Sequence, residues 1–301
     1  MRLKQLDLNQ LICMDALLSE KNVSRAAERL NLSQPAISWT LAKLREYFED
    51  PLLVRVGRSM TTTPFADSLA RPVRDLLLQA QAIAARRPEH APAKMQRDIT
   101  LVASDYVSTM VLQDAMRRAA LQAPGVRVSI LPVSEFFDEQ LDAGEVDLLI
   151  ASMAAFSTGH PSEKLLRESY SCIAALDHPI LQGSLSIEQY YEFGHVAVAW
   201  GRGRIHTHDQ TAVDRGSHTR RNEVTVSNFS MVPGYLVGTR RLATIQARLA
   251  QRMATQWPLQ VLPCPLEIPD IEVGMQWNKS TADDPALVWF RKLLKDICGM
   301  L

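Results

Sequence analysis

Gln34 and Ser38 stand one helical turn apart, and both side chains can hydrogen-bond the edges of nucleic-acid bases. They lie in a run, Gln34–Arg45, whose apolar residues Ala36, Ile37, Leu41 and Leu44 recur at helical spacing. Gln34, Ser38, Trp39, Ala42, Lys43 and Arg45 are left on the other face. Lys43, Arg45, Arg55 and Arg58 carry charges suited to phosphate oxygens, contacts that position a protein on DNA without reading its sequence. A second group is Gly201–Asp209, GRGRIHTHD. Its His206, His208 and Asp209 are metal-ligand types, and Arg202 and Arg204 could clamp a carboxylate. No fourth ligand accompanies them and the glycines lack phosphate-loop spacing, so a surface loop is the reading preferred. Ser104-Asp105 and Asn228-Phe229 each follow an apolar strand pattern and open a helical one. Such positions cap helices, and they also offer free backbone N–H groups to a polar ligand.

The elements around these residues fall into two regimes. Residues 7–87 read as almost wholly helical. Asp7 and Gln10 make a capping box for the first helix, and Asn22 or Ser24 caps a short second one, Arg25–Leu30, which Asn31 stops. Ser33 caps the third helix, with Pro35 tolerated in its first turn, and Asp50-Pro51 ends it. Leu52–Val56, the Gly57-Arg58 turn and Met60–Thr63 then form a two-stranded wing. Pro64 opens a long helix to about Arg87 with an apolar seam through Phe65, Leu69, Val73, Leu76, Leu77, Ala80 and Ile83. Helix, turn, helix and wing is a layout that places one helix in the major groove. A plain helical bundle with solvated polar faces fits the same pattern as well.

Pro88–Arg97 has two prolines and no periodicity, and reads as a hinge linker. Beyond it strands alternate with helices, which implies α/β architecture built on a parallel sheet with helices on both faces. Strands are expected at 99–103, 126–131, 146–151, 166–176, 195–200, 222–226, 242–245, 259–263 and 271–277. Helices are expected at 107–121, 135–142, 184–191, 208–214, 228–237, 245–254 and 284–298.

The 301 residues carry 33 basic and 33 acidic side chains, a net charge of zero. The distribution is uneven: residues 1–90 hold 13 of the basic and 10 of the acidic groups, +3, leaving 20 and 23, or −3, for the rest. The four cysteines, Cys13, Cys172, Cys264 and Cys298, form no C-x-x-C, which argues against a zinc site or redox dithiol and fits a reducing compartment. The N-terminus lacks a signal-peptide apolar core, and no apolar run approaches the ~18 residues of a membrane helix. A soluble cytoplasmic protein is expected. G-x-S-x-G, H-E-x-x-H and G-x-G-x-x-G after a strand are all missing, and no acidic pair has acid–base spacing, so an enzyme is not expected.

The segment Val23–Arg55, VSRAAERLNLSQPAISWTLAKLREYFEDPLLVR, resembles the signature of LysR-type transcriptional regulators. The matching positions include Ala26, Ala27, Leu30, Ser33, Gln34, Pro35, Ala36, Ile37, Ser38, Leu44, Arg45, Asp50, Pro51, Leu52, Leu53 and Arg55. The resemblance extends over the whole chain and is closest to the subgroup resembling nodulation and aromatic-catabolism regulators. It implies a winged helix-turn-helix over 1–63 and a dimerising linker helix over 64–87. A two-lobed, periplasmic-binding-protein-like (type 2) effector domain follows over 98–301, with lobe 1 from 98–165 and 269–301 and lobe 2 from 166–268. It implies DNA contacts from Ser33, Gln34, Pro35, Ser38, Trp39, Lys43, Arg45, Arg55 and Arg58. Trp39 departs from the pattern, and two roles stay open for it: packing on a thymine methyl or sugar, or on a neighbouring helix. Effector-lining candidates are Ser104, Asp105, Met153, Ser169, Trp200, His206, Asn228 and Phe229. The expected partners are a DNA operator, a small effector of aromatic type and further copies of the chain, as a dimer through the linker helix and a homotetramer. No cofactor or metal is expected. A binding protein without DNA function is the alternative that an intact Gln34–Ser38 motif disfavours.

Overall fold

The computed structural model describes residues 6–57, 59–85, 91–179, 181, 183–201, 205–214 and 219–301, without the side chains of Ala82, Ala85, Ile205, His206 and Asp214. The chain divides into two compact units, residues 1–87 with 142–144, and residues 88–141 with 145–301.

In the first unit, α1 (Leu8–Glu20), α2 (Val23–Leu30) and α3 (Gln34–Phe48) precede the antiparallel wing of β1 (Leu53–Val56) and β2 (Ser59–Thr62), and α4 (Pro64–Ala85) follows. Local chemistry sets the boundaries. Asp7 and Gln10 close a capping box on α1, Asn22 accepts from Ser24 and Arg25 at the head of α2, and Asn31 turns out of it at φ 53°. Ile37, Leu41 and Leu44 of α3 pack with Met14, Leu17, Ala26 and Ala27 in one core, each large side chain contributing roughly 1.5–3 kcal/mol. Ala36, expected inside, is exposed beside Gln34 and Pro35. The helix expected to dimerise is also packed on its own unit. Ala66, Leu69, Val73 and Leu77 pack on this core, and Arg74 donates to Asp15 (3.0 Å) and Ser19 (2.6 Å) of α1. Leu76 and Ile83, 46% and 69% exposed, form a second face seven residues apart.

The second unit holds two mixed sheets. Its chain runs β3 (Arg97–Ala103), α5 (Asp105–Val107), a π-helical turn Ser108–Leu112, α6 (Gln113–Gln122), β4 (Val126–Leu131), α7 (Phe137–Asp142), β5 (Leu148–Ser152) and β6 (Ser162–Glu168). It continues with β7 (Tyr170–Ala175), α8 (Ile187–Glu192), β8 (His195–Trp200), β9 (Ile205–His206), α9 (His208–Asp214), β10 (Asn222–Val226) and α10 (Val232–Leu236). It ends with β11 (Leu242–Gln246), α11 (Ala247–Ala254), β12 (Leu259–Pro263), β13 (Ile271–Trp277) and α12 (Pro285–Cys298). The lobe 1 sheet has the order β4-β3-β5-β13-β6, and the lobe 2 sheet β10-β8-β11-β7-β12 with β9 on β8.

Two expectations change. The strand expected over 166–176 is two strands in different sheets, with Ser169 alone between them, so lobe 1 extends to Glu168. The sheets are mixed, because the strands that enter each one from the other lobe, β7 and β13, run antiparallel to their neighbours. Together, the crossings at Ser169 and between Pro263 and Ile271 make the two-stranded hinge of a two-lobed domain.

Candidate DNA interface and effector cavity

Ser33 caps α3 by accepting from the Ala36 N–H (3.4 Å), and Gln34, Pro35 and Ser38 follow it on the exposed side of the first turns. Trp39 is 60% exposed, and the Lys43 ammonium lies 3.8 Å from its ring centroid. The indole therefore packs against a cation of its own helix and not on a neighbouring helix, an exposed pairing of about 0.5–1 kcal/mol.

Arg45 departs from the expected phosphate role. Its Nε donates to the Pro51 carbonyl (2.7 Å) and its Nη2 to that of Leu53 (2.9 Å). The Asp50 carboxylate accepts from Leu52 N–H and the Thr63 hydroxyl, both at 2.7 Å. These bonds hold buried Leu52 in the left-handed region at φ 57° and fold the chain from α3 into the wing. The D-P-L segment and Arg45 thus shape the join between α3 and the wing. Arg55 in the wing is exposed, spending one N–H on the Gly57 carbonyl (3.2 Å), and Arg58 lies outside the described residues.

In the second unit a cavity of about 270 Å³ opens between the lobes, at the carboxyl ends of β3, β5, β8 and β11. Lobe 1 gives it an apolar wall, with Val133, Phe137, Ile150, Ile271 and Val273. Lobe 2 faces this with Tyr170, Trp200, Thr207, His208, Thr211 and Gln246. Burial, with the Asp209 and Glu168 charges, pushes the Tyr170 hydroxyl far above its ordinary range and keeps it a phenol.

Ser104 and Trp200 are the effector candidates that line this cavity. Ser104 accepts from Val107 N–H at the cap of α5 (3.4 Å), leaving its own proton free to donate. The other candidates whose side chains are described do not line it. Asp105 reaches across to lobe 2 and accepts from Ser230 N–H (2.7 Å). Phe229 is in the core, edge-on to Trp200 at 5.8 Å. Met153 occupies the space beside Gly274, where any Cβ would collide with it. Ser169 is exposed at the hinge, Asn228 hydrogen-bonds Ser227 (3.3 Å), and the His206 side chain, like Arg202 and Arg204, lies outside the described residues.

Tyr170 and Gln246 went unrecognised in the sequence, and His208 was weighed there only as a metal ligand, because strand register and one short helix bring the three together. Gln246 stands directly opposite Tyr170 in the β11–β7 pairing, and the His208 ring stacks on Tyr170 (6.1 Å, 22° between planes). The surface-loop reading of 201–209 fails at its end, where Thr207 and Asp209 are buried. Asp209, considered as a metal ligand, instead pairs with buried Arg220 at 2.7 Å. Arg220 also donates to Tyr190 (3.2 Å), Asn222 (3.0 Å) and Gln210, fixing α9 behind the cavity. At the hinge, buried Glu168 accepts from Tyr106 of the cavity wall (2.8 Å) and Arg248 of α11 (3.0 Å).

Comparison with known proteins matches both units. Residues 8–67 fit the model described as "Bacterial regulatory helix-turn-helix protein, lysR family", and residues 92–299 fit "LysR substrate binding domain". Nodulation protein D 2 of Rhizobium tropici is 39% identical over 294 residues, covering 98% of this chain and 93% of that protein. Nodulation protein D 1 of a Bradyrhizobium sp. is 37% identical over 295 residues, covering 98% and 94%. Among solved structures, a probable transcriptional regulator from Pseudomonas aeruginosa matches with TM-score 0.65 and 27% identity, covering 98% of each chain. CbnR bound to its target DNA shares the fold at TM-score 0.52 and 15% identity, covering 97% of this chain and all of that one. The helix-turn-helix family model and the Pseudomonas aeruginosa structure are described as regulators and not enzymes. Among the described residues no helix is long and apolar enough to cross a membrane. LysR regulators bind DNA and small effectors and oligomerise, and with a matching helix-turn-helix, a matching effector-binding domain and full-length relatives, this chain belongs to the LysR family as a DNA-binding transcriptional regulator.

Proposed function

We propose that the chain binds a DNA operator through α3 and the wing, and changes that binding when a small aromatic molecule enters the interlobe cavity. The observation that carries the effector class is the set of rings facing that cavity: Tyr106 and Phe137 from lobe 1, and Tyr170, Trp200 and His208 from lobe 2. Flat walls of this kind favour a flat, largely apolar ligand held by offset stacking. Gln34, Pro35, Ser38 and Trp39 read bases, Ser33 fixes their helix start, and Lys43, Arg55 and Arg58 hold phosphates. Because the cavity is shared by two lobes joined at two crossings, a ligand that touches both binds the closed arrangement better and shifts the population toward it. A homodimer through the free Leu76–Ile83 face, pairing further into a tetramer in the cytoplasm, gives two-fold reading of two half-sites.

The test is fluorescence anisotropy with DNA from just upstream of the gene against scrambled DNA, at two salt concentrations, with and without small aromatics. Preference for the native DNA, affinity falling about 0.9 log units per log salt for each phosphate held, and a change on adding an aromatic support the reading. Binding to native DNA that no aromatic alters defeats the effector half alone. Binding with no dependence on salt defeats the DNA half.

A further inference from the structure

We infer that Gln246 and His208 select the effector, and that they demand a neutral hydroxyl or N–H group on one edge of its flat apolar body. This rests on the interlobe cavity being the effector site. Gln246 ends β11 and is only 5% exposed, yet its buried Oε1 accepts no hydrogen bond. His208 opens α9, and its Nε2 is likewise buried and unpartnered. Both side chains line the cavity. An unsatisfied buried polar atom costs on the order of 1–3 kcal/mol. Two of them on one wall of one cavity are a cost that a bound ligand removes.

One ring relates the two groups. The antiparallel register sets Gln246 beside Tyr170, and His208 stacks on the same phenol. The wall opposite is the apolar surface of Val133, Phe137, Ile271 and Val273. Ser104 of lobe 1 offers a donor, whereas the unpaired Gln246 Oε1 and His208 Nε2 are on lobe 2, so a ligand with one donating edge turns that edge to lobe 2 and its body to the apolar part of lobe 1.

The choice of a neutral polar group follows from charge. The described lining contains no Asp, Glu, Lys or Arg, and Asp209 beside His208 is already paired with Arg220. A carboxylate entering here would lose its water without meeting a Lys or Arg side chain. A hydroxyl donates to an amide oxygen and accepts from a ring N–H, so it satisfies either group whichever tautomer His208 adopts.

The test uses three probes of one shape, 2-naphthol, 2-methoxynaphthalene and 2-naphthoate, titrated calorimetrically into the full-length protein. The wild type is expected to bind 2-naphthol about tenfold tighter than the ether. Gln246→Leu and His208→Phe, which keep volume and ring, are expected to bring that ratio within about threefold without weakening the ether. The ligand-free Gln246→Leu protein is expected to melt no lower than the wild type, since it loses an unpaired group; a merely structural amide would lower the melting temperature. Equal binding of naphthol and ether by the wild type, preference kept in both variants, or tighter binding of 2-naphthoate would each overturn the inference while leaving an effector cavity for flat ligands in place. Binding of none of the three would overturn the aromatic reading of the cavity and this inference with it.

Discussion

Trp39 and Lys43 sit one turn apart on the exposed face of α3, and their contact separates two kinds of DNA recognition. An ammonium held near an indole remains available to a phosphate oxygen, whereas the outer edge of the ring can meet a thymine methyl. Lys43→Ala is therefore expected to weaken native and scrambled DNA about equally and to lower the salt slope by about 0.9. Trp39→Ala is expected to reduce native-over-scrambled preference about tenfold at unchanged slope, read in the same titrations. His195 offers a residue-scale prediction about stability. Its ring is buried, its Nε2–H donates to the Tyr190 carbonyl (2.6 Å), and its Nδ1 has no partner. Burial, with the Arg220 and Arg221 charges, lowers its pKa from 6.5 to about 3. The unfolded chain thus binds a proton at a pH where the folded protein does not, and stability falls as pH drops from about 6.5 toward 3. At pH 5 this linkage costs about 2 kcal/mol relative to neutral pH. Urea unfolding at pH 7.5 and pH 5 should show a drop larger by that amount in the wild type than in His195→Asn, and equal drops would refute it.

Elements whose ends carry cap or turn residues were legible in the sequence. Asn31, Ser33 and Asp50-Pro51 each mark a boundary that the structure keeps, and β4, β8, β10, β12 and β13 match their expected limits. Elements joined without such punctuation were not. From Leu165 to Ala175 no Gly or Pro interrupts the run, so nothing local marks the change of sheet at Ser169. The same limit hid the cavity: Tyr170 and Gln246 are neighbours through register, and His208 joins them through a helix that Arg220 anchors from behind. At the wing, sequence identified Arg45 but not its use, since a basic side chain on a DNA-facing helix has the same pattern whether it meets phosphate or its own backbone. Arg45→Lys separates these roles, because an ammonium keeps the charge and loses the fork that spans the Pro51 and Leu53 carbonyls. Hydrogen exchange of the segment 45–63 is expected to accelerate about tenfold or more in Arg45→Lys and Arg45→Ala alike. Acceleration in Arg45→Ala alone would point to charge and not to the fork.

At the scale of the whole molecule the unresolved demand is a partner for α4. One face of this helix is satisfied within its own unit by Ala66, Val73 and the Arg74 clamp on α1. The face bearing Leu76 and Ile83 is apolar and exposed, and its heptad spacing fits the same face of a second helix related by a two-fold axis. Neither residue belongs to the core of the unit, so charging both should leave folding intact while repelling a second copy. The double variant Leu76→Glu, Ile83→Glu is expected to sediment as a smaller species than the wild type at micromolar concentration, with an unchanged far-UV circular dichroism spectrum. Its affinity for a single half-site should be little altered, because α3 and the wing are untouched. Its affinity for a two-half-site operator should fall at least a hundredfold, because the second half-site no longer binds intramolecularly. If the variant sediments like the wild type, the subunits associate through another surface. If it is smaller yet keeps its operator affinity, each copy reads DNA alone and the two-fold model of recognition fails.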